Sequence, residues 1–74
     1  MNEHDLVVLK GTMPEHGLEA GDVGTVVHVY PGGEGVEVEF ARADGATVAV
    51  VTLEVSALRP FTGSEILHAR KLAS

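Results

Sequence analysis

The chain contains no cysteine and no tryptophan. Without thiols, neither a disulfide framework nor a Cys-based zinc centre can staple it, although at 74 residues it is of the size where such staples are common. A domain this small buries only about 60% of the surface its unfolded chain exposes. The stabilisers that remain are a dense valine core and association with a second copy. The lack of cysteine also fits a cytoplasmic protein, and the cytoplasm is the expected location. Aromatic residues are scarce, being limited to Tyr30, Phe40 and Phe61. Grooves for proline-rich peptides and platforms for stacked bases both need several aromatics, so both uses are disfavoured. Basic residues are few as well: 5 Lys and Arg stand against 11 Asp and Glu, a formal net charge of −6 that repels phosphate backbones. No apolar run approaches the roughly 20 residues of a membrane-spanning helix. The first residues, Met1-Asn2-Glu3-His4-Asp5, lack the basic start and apolar centre of a signal peptide, and no membrane partner is expected.

What the chain does have is valine. The stretch Gly21-Asp22-Val23-Gly24-Thr25-Val26-Val27-His28-Val29-Tyr30 reads as a turn leading into a β-strand, bounded by the exit turn Pro31-Gly32-Gly33. Gly21 and Gly24 mark places where the backbone bends tightly or lies against another strand. Val23, Val26, Val27 and Val29 are expected to pack the core. The other apolar runs are short and evenly spaced around this stretch, which predicts a small, strongly bent barrel with this strand near its centre.

Leu6-Val7-Val8-Leu9 is too short for a helix and reads as a first strand, without alternation to say which side chains face inward. Residues 11–22 read as a long connection punctuated by Pro14 and Gly17, with Leu18, and also Met13, folding back to plug the barrel. Val36-Glu37-Val38-Glu39-Phe40 alternates strictly, placing Val36, Val38 and Phe40 toward the core and Glu37 and Glu39 toward water. Asp44-Gly45 is a hairpin signal. The returning strand, residues 46–53, puts Val48 and Val50 on one face and Ala49, Val51 and Leu53 on the other. A single 3₁₀ turn over residues 54–58 leads to a last short strand that Pro60 confines to an edge. From Thr62 the composition changes, and Ser64 is placed to N-cap a short helix running to Leu72. The expected organisation is an all-β barrel over residues 1–61 and, over residues 62–74, a C-terminal short helix or tail.

These motifs, in order, carry a resemblance. Asp5-Leu6-Val7-Val8-Leu9, Pro14-Glu15-His16-Gly17-Leu18 and Gly21-Asp22-Val23-Gly24-Thr25-Val26-Val27 resemble a family of short bacterial proteins that share domain of unknown function 4926. Val36-Glu37-Val38-Glu39-Phe40, Asp44-Gly45 and Leu58-Arg59-Pro60 continue the likeness, which covers residues 5–61. The resemblance implies a five-stranded SH3-like barrel and no established activity. The segment Gly21 to Val27 is also similar to the glycine-centred strand of KOW-type domains, which bind nucleic acid or transcription factors, and of nitrile hydratase β subunits and their accessory proteins.

Chemistry is not concentrated anywhere in the sequence. His4, His16, His28 and His68 fall on separate elements without the spacing that sets two metal ligands on one face, so no metal or cofactor is expected. His28, if it points outward, faces Glu37 or Glu39 on the neighbouring strand. Thr25, Ser56 and Ser64 lie in no nucleophile motif, and exposed carboxylates such as Glu37 and Glu39 are poor general acids. The expectation is therefore a non-catalytic protein-interaction module, an accessory or antitoxin-like partner of a neighbouring protein. Its candidate contacts are Glu15, His16 and Glu19 in the long connection and Ile66, Leu67 and Arg70 in the tail. The alternative is a KOW-like nucleic-acid-associated barrel, in which Lys10, Arg42, Arg59, Arg70 and Lys71 would have to converge. A homodimer formed by strand pairing or tail packing is expected in addition.

Overall fold

The computed structural model describes residues 1–41 and 46–62. Five strands, β1 (Leu6–Leu9), β2 (Val23–Val29), β3 (Gly35–Ala41), β4 (Thr47–Glu54) and β5 (Leu58–Pro60), form one antiparallel sheet in the order β4-β3-β2-β1-β5. The valine-rich strand β2 is the middle of the five, pairing with β1 on one side and β3 on the other. The expected hairpin loop at Arg42-Ala43-Asp44-Gly45 and the expected helix from Ser64 to Leu72 lie outside the described residues.

Each strand sends side chains into a single core. Val7 and Leu9 of β1, Val26 of β2, Val36, Val38 and Phe40 of β3, Val51 and Leu53 of β4, and Leu58 of β5 form a single buried cluster with Leu18. Alternation explains β3 outright: Val36, Val38 and Phe40 are fully buried, whereas Glu37 and Glu39 are half-buried on the other face. On β4 the same period buries Val51 and Leu53 and leaves Val48 and Val50 exposed. β1 resolves the ambiguity of its unbroken apolar run, since Val7, Val8 and Leu9 are all buried and only Leu6 is exposed.

Strand β2 departs from the expected packing at Val27. The register steps from Val26 opposite Val38 to His28 opposite Glu37, so Val27 is the extra residue of a β-bulge. The bulge resets the alternation. Val26 is fully buried, Val27 is 40% exposed, and Val23 and Val29 are half-buried. Strand β2 also stops at Val29, with Tyr30 already in the turn, where its N–H donates to the Gly35 carbonyl at 3.0 Å.

Candidate functional site

Residues 11–22 are not an open connection. The ladder of β1 and β2 continues into them: the Leu9 N–H donates to the Asp22 carbonyl (2.9 Å), and the Gly21 N–H donates to the Leu9 carbonyl (2.8 Å). Farther out, the Ala20 N–H donates to Thr12 Oγ1 (3.3 Å). Met13 and Leu18 then exchange both backbone hydrogen bonds, at 2.9 and 3.1 Å. Only the tip reverses the chain, through a 3₁₀ turn over Pro14–His16 that ends on Gly17 in the left-handed conformation. A dozen residues are thereby reduced to a short reversal on a hydrogen-bonded arm. Its cross-chain hydrogen bonds, not its composition, make the arm, which is why loop punctuation in the sequence did not reveal it.

Two side chains hold the arm to the sheet. Leu18 is 1% exposed within the core cluster and Met13 packs half-buried against it, so both fold back onto the core. Asp22, the one buried charged residue of the described core, accepts the Glu19 N–H on Oδ2 at 2.9 Å. The turn between them is closed by the Asp22 N–H donating to the Glu19 carbonyl at 3.0 Å. This latch was missed in the sequence. An aspartate directly after a turn glycine is the signal that would have found it. Asp22→Ala removes the acceptor from a half-buried N–H, at an expected cost of about 1–2 kcal/mol. Amide exchange should then quicken over residues 12–21 while β3 keeps its protection; unchanged exchange in the arm would reject the latch.

With Leu18 inside, the arm displays Glu15, His16 and Glu19, all exposed. Three of the six sequence-derived contact residues are thus carried on one ordered element. Ile66, Leu67 and Arg70 lie outside the described residues. Of the basic residues, Lys10 is exposed just beyond β1 and Arg59 is half-buried on β5, while Arg42, Arg70 and Lys71 lie outside the described residues.

His28 does point outward, on the face opposite the core. It stands across from Glu37 in the register, but the carboxylate that meets its ring is Glu3, with Oε2 4.0 Å from Nδ1. Both side chains are about half exposed, so this is a screened surface contact. Tyr30 meets the His28 ring edge-on, with centroids 4.6 Å apart. Glu39 is engaged elsewhere, accepting the Thr47 hydroxyl at 2.8 Å. Glu3 reaches His28 because the N-terminal segment lies along β2: the His4 N–H donates to the Val26 carbonyl (2.7 Å) and the Val26 N–H to the Asp5 carbonyl (2.9 Å). No group of three His, Asp or Glu among the described residues is arranged to hold a metal ion.

The family described as Domain of unknown function (DUF4926) matches residues 3–60. The chain belongs to this family. The matched span holds all five strands and the whole arm, with Glu15, His16, Glu19 and Asp22 inside it. The DUF4926 match ends at Pro60, so it carries nothing over to Ile66, Leu67 or Arg70. No curated protein and no solved structure matches the chain. Among the described residues, no helix is long and apolar enough to cross a membrane.

Proposed function

We propose that this DUF4926 chain is a non-catalytic, cytoplasmic protein-interaction module, folded as an SH3-like barrel, that docks a basic surface of another protein through the arm. The barrel reading is supported by the burial pattern. One sheet buries the inward side chains of all five strands in one cluster, and no second layer covers that face among the described residues. A sheet of this length can dry its own inner face only by curling round it.

The observation that carries the interaction reading is the arm itself. Leu18 and Asp22 fix it from within, and Glu15, His16 and Glu19 face water from a short hydrogen-bonded tip. A preordered element loses less conformational entropy on binding than a mobile loop does. Acidic groups on it, backed by a net charge of −6, steer a basic partner and select against acidic ones. The role that follows is that of a small accessory protein attached to a neighbouring, positively charged protein.

The test is affinity capture from the native host with the full chain and with Glu15→Lys/Glu19→Lys. A specific protein retained by the natural chain and lost with the variant is the expected result, with retention falling as salt rises. Equal retention by both chains, or none by either, overturns the proposal. Salt-dependent binding of RNA or DNA by the natural chain would overturn it in favour of a nucleic-acid-associated barrel.

A further inference from the structure

We propose that the open edge of β4 pairs antiparallel with β4 of a second copy of this chain, about a twofold axis at Val50. Strand β4 ends the sheet, and nothing among the described residues pairs with its outer edge. At eight residues it is the longest of the strands, whereas the opposite edge, β5, is three residues long and ends in proline. Edge strands normally carry charges, proline or a cover that prevents pairing with another chain. Thr47-Val48-Ala49-Val50-Val51-Thr52-Leu53 has no charged residue and no proline, and it is made mostly of residues that favour strands.

The register indicates which backbone groups face outward. The Tyr30 N–H donates to the Gly35 carbonyl, so the peptide groups of Gly35 point toward β2, and those of Val36 and Val38 point toward β4. Their partners are Leu53 and Val51. The N–H and C=O of the intervening Thr52 and Val50 therefore lie on the open edge. Among the described residues, Val50 is also the most exposed large hydrophobic residue, at 53%.

Pairing about Val50 sets each Val50 beside its own counterpart and Thr52 beside Val48 of the second copy. Glu54 falls opposite Ala46, so no two carboxylates meet. Each chain carries −6, and a neutral seam is where two such chains can approach most closely. The occupant that fits is thus the chain itself. This pairing is independent of what the arm binds, and salt separates the two: screening strengthens contact between like-charged copies and weakens contact with a basic partner.

Sedimentation of the full chain up to high micromolar concentration, combined with amide exchange, tests the pairing. A monomer–dimer equilibrium is expected, tightening with added salt, with Val50 and Thr52 amides protected more strongly as concentration rises. Val50→Lys should weaken dimerisation at least about tenfold, and Thr52→Pro, which deletes an outward N–H, should do the same. Val50→Lys should leave the thermal midpoint at low concentration within about 2 °C of the natural chain, since Val50 is already half exposed. A chain that stays monomeric overturns the proposal. So does a dimer unaffected by both substitutions, or protection of Val50 and Thr52 that is independent of concentration, which would mean that another part of the same chain covers the edge.

Discussion

Gly24→Ala is expected to destabilise the domain by about 1–3 kcal/mol, lowering its thermal midpoint by about 5–20 °C. The reason is a close approach between β2 and the side chains of β3. A Cβ on Gly24 would lie 2.5 Å from Val38 Cγ1 and 2.9 and 3.0 Å from the Phe40 ring. Both neighbours are fully buried, so neither can swing into solvent to make room. Gly24 is itself buried and paired with Val7, which prevents the backbone from moving away without breaking the β1–β2 ladder. Gly11→Ala is the matched control: no atom lies within 4 Å of its added methyl group, and its change should stay within about 0.5 kcal/mol. Trimming Val38 should separate steric crowding from a loss of glycine's flexibility. In the double variant Gly24→Ala/Val38→Ala, the two changes should cost less together than the sum of each alone. Strict additivity in urea unfolding would show that the crowding is not the cause.

Phe40→Ala should have the larger effect, about 3–5 kcal/mol. Phe40 is the largest fully buried side chain among the described residues and lies over the bare backbone at Gly24. Its removal leaves a cavity in the core over Gly24 that neither glycine nor the branched valines can fill. A loss of this size is comparable with the whole stability of a chain of this length, at roughly 0.05–0.15 kcal/mol per residue. Far-ultraviolet circular dichroism at 25 °C should therefore show a population that is largely unfolded, or one that melts with little residual cooperativity. Tyr30→Ala, at a side chain already 37% exposed, should remain folded. A Phe40→Ala chain that melts within a few degrees of the natural one would show that the core does not depend on this ring.

The pairing of Gly24 with Phe40 joins the strand on which the fold is centred to the strand most legible in the sequence. The alternation of Val36, Val38 and Phe40 against Glu37 and Glu39 could be read directly, because a strand with one dry face imposes a period of two on its own residues. For the same reason Val51 and Leu53 could be told from Val48 and Val50. The bounds of β1 and the 3₁₀ turn before β5 followed from short runs and breakers. Such patterns are local, and a chain of this size, with no disulfide or long loop to override them, obeys them.

What escaped the sequence is non-local. Val27 sits among valines of identical character, and only the register of β2 against β3 makes it the bulged residue that turns outward. Glu3 has no sequence relation to His28, and the segment carrying it is brought there by hydrogen bonds to Val26. The arm over residues 11–22 looked like a loop because prolines, glycines and polar residues also occur in short hydrogen-bonded hairpins. The exposure of Glu15, His16 and Glu19 was nonetheless legible, since they are polar side chains flanking the buried Leu18.

The sequence alone thus determined five short strands over the described residues, the inward side chains of β3 and β4, and membership in a family whose motifs span nearly the whole sheet. The central place of β2 was also expected from the sequence; the tertiary structure decided which edge is open, where the ladder is interrupted, and that residues 11–22 form an arm latched by Asp22. The division has one physical cause. Burial periodicity is written along the chain residue by residue, whereas register, bulges and edges exist only once one strand has met another.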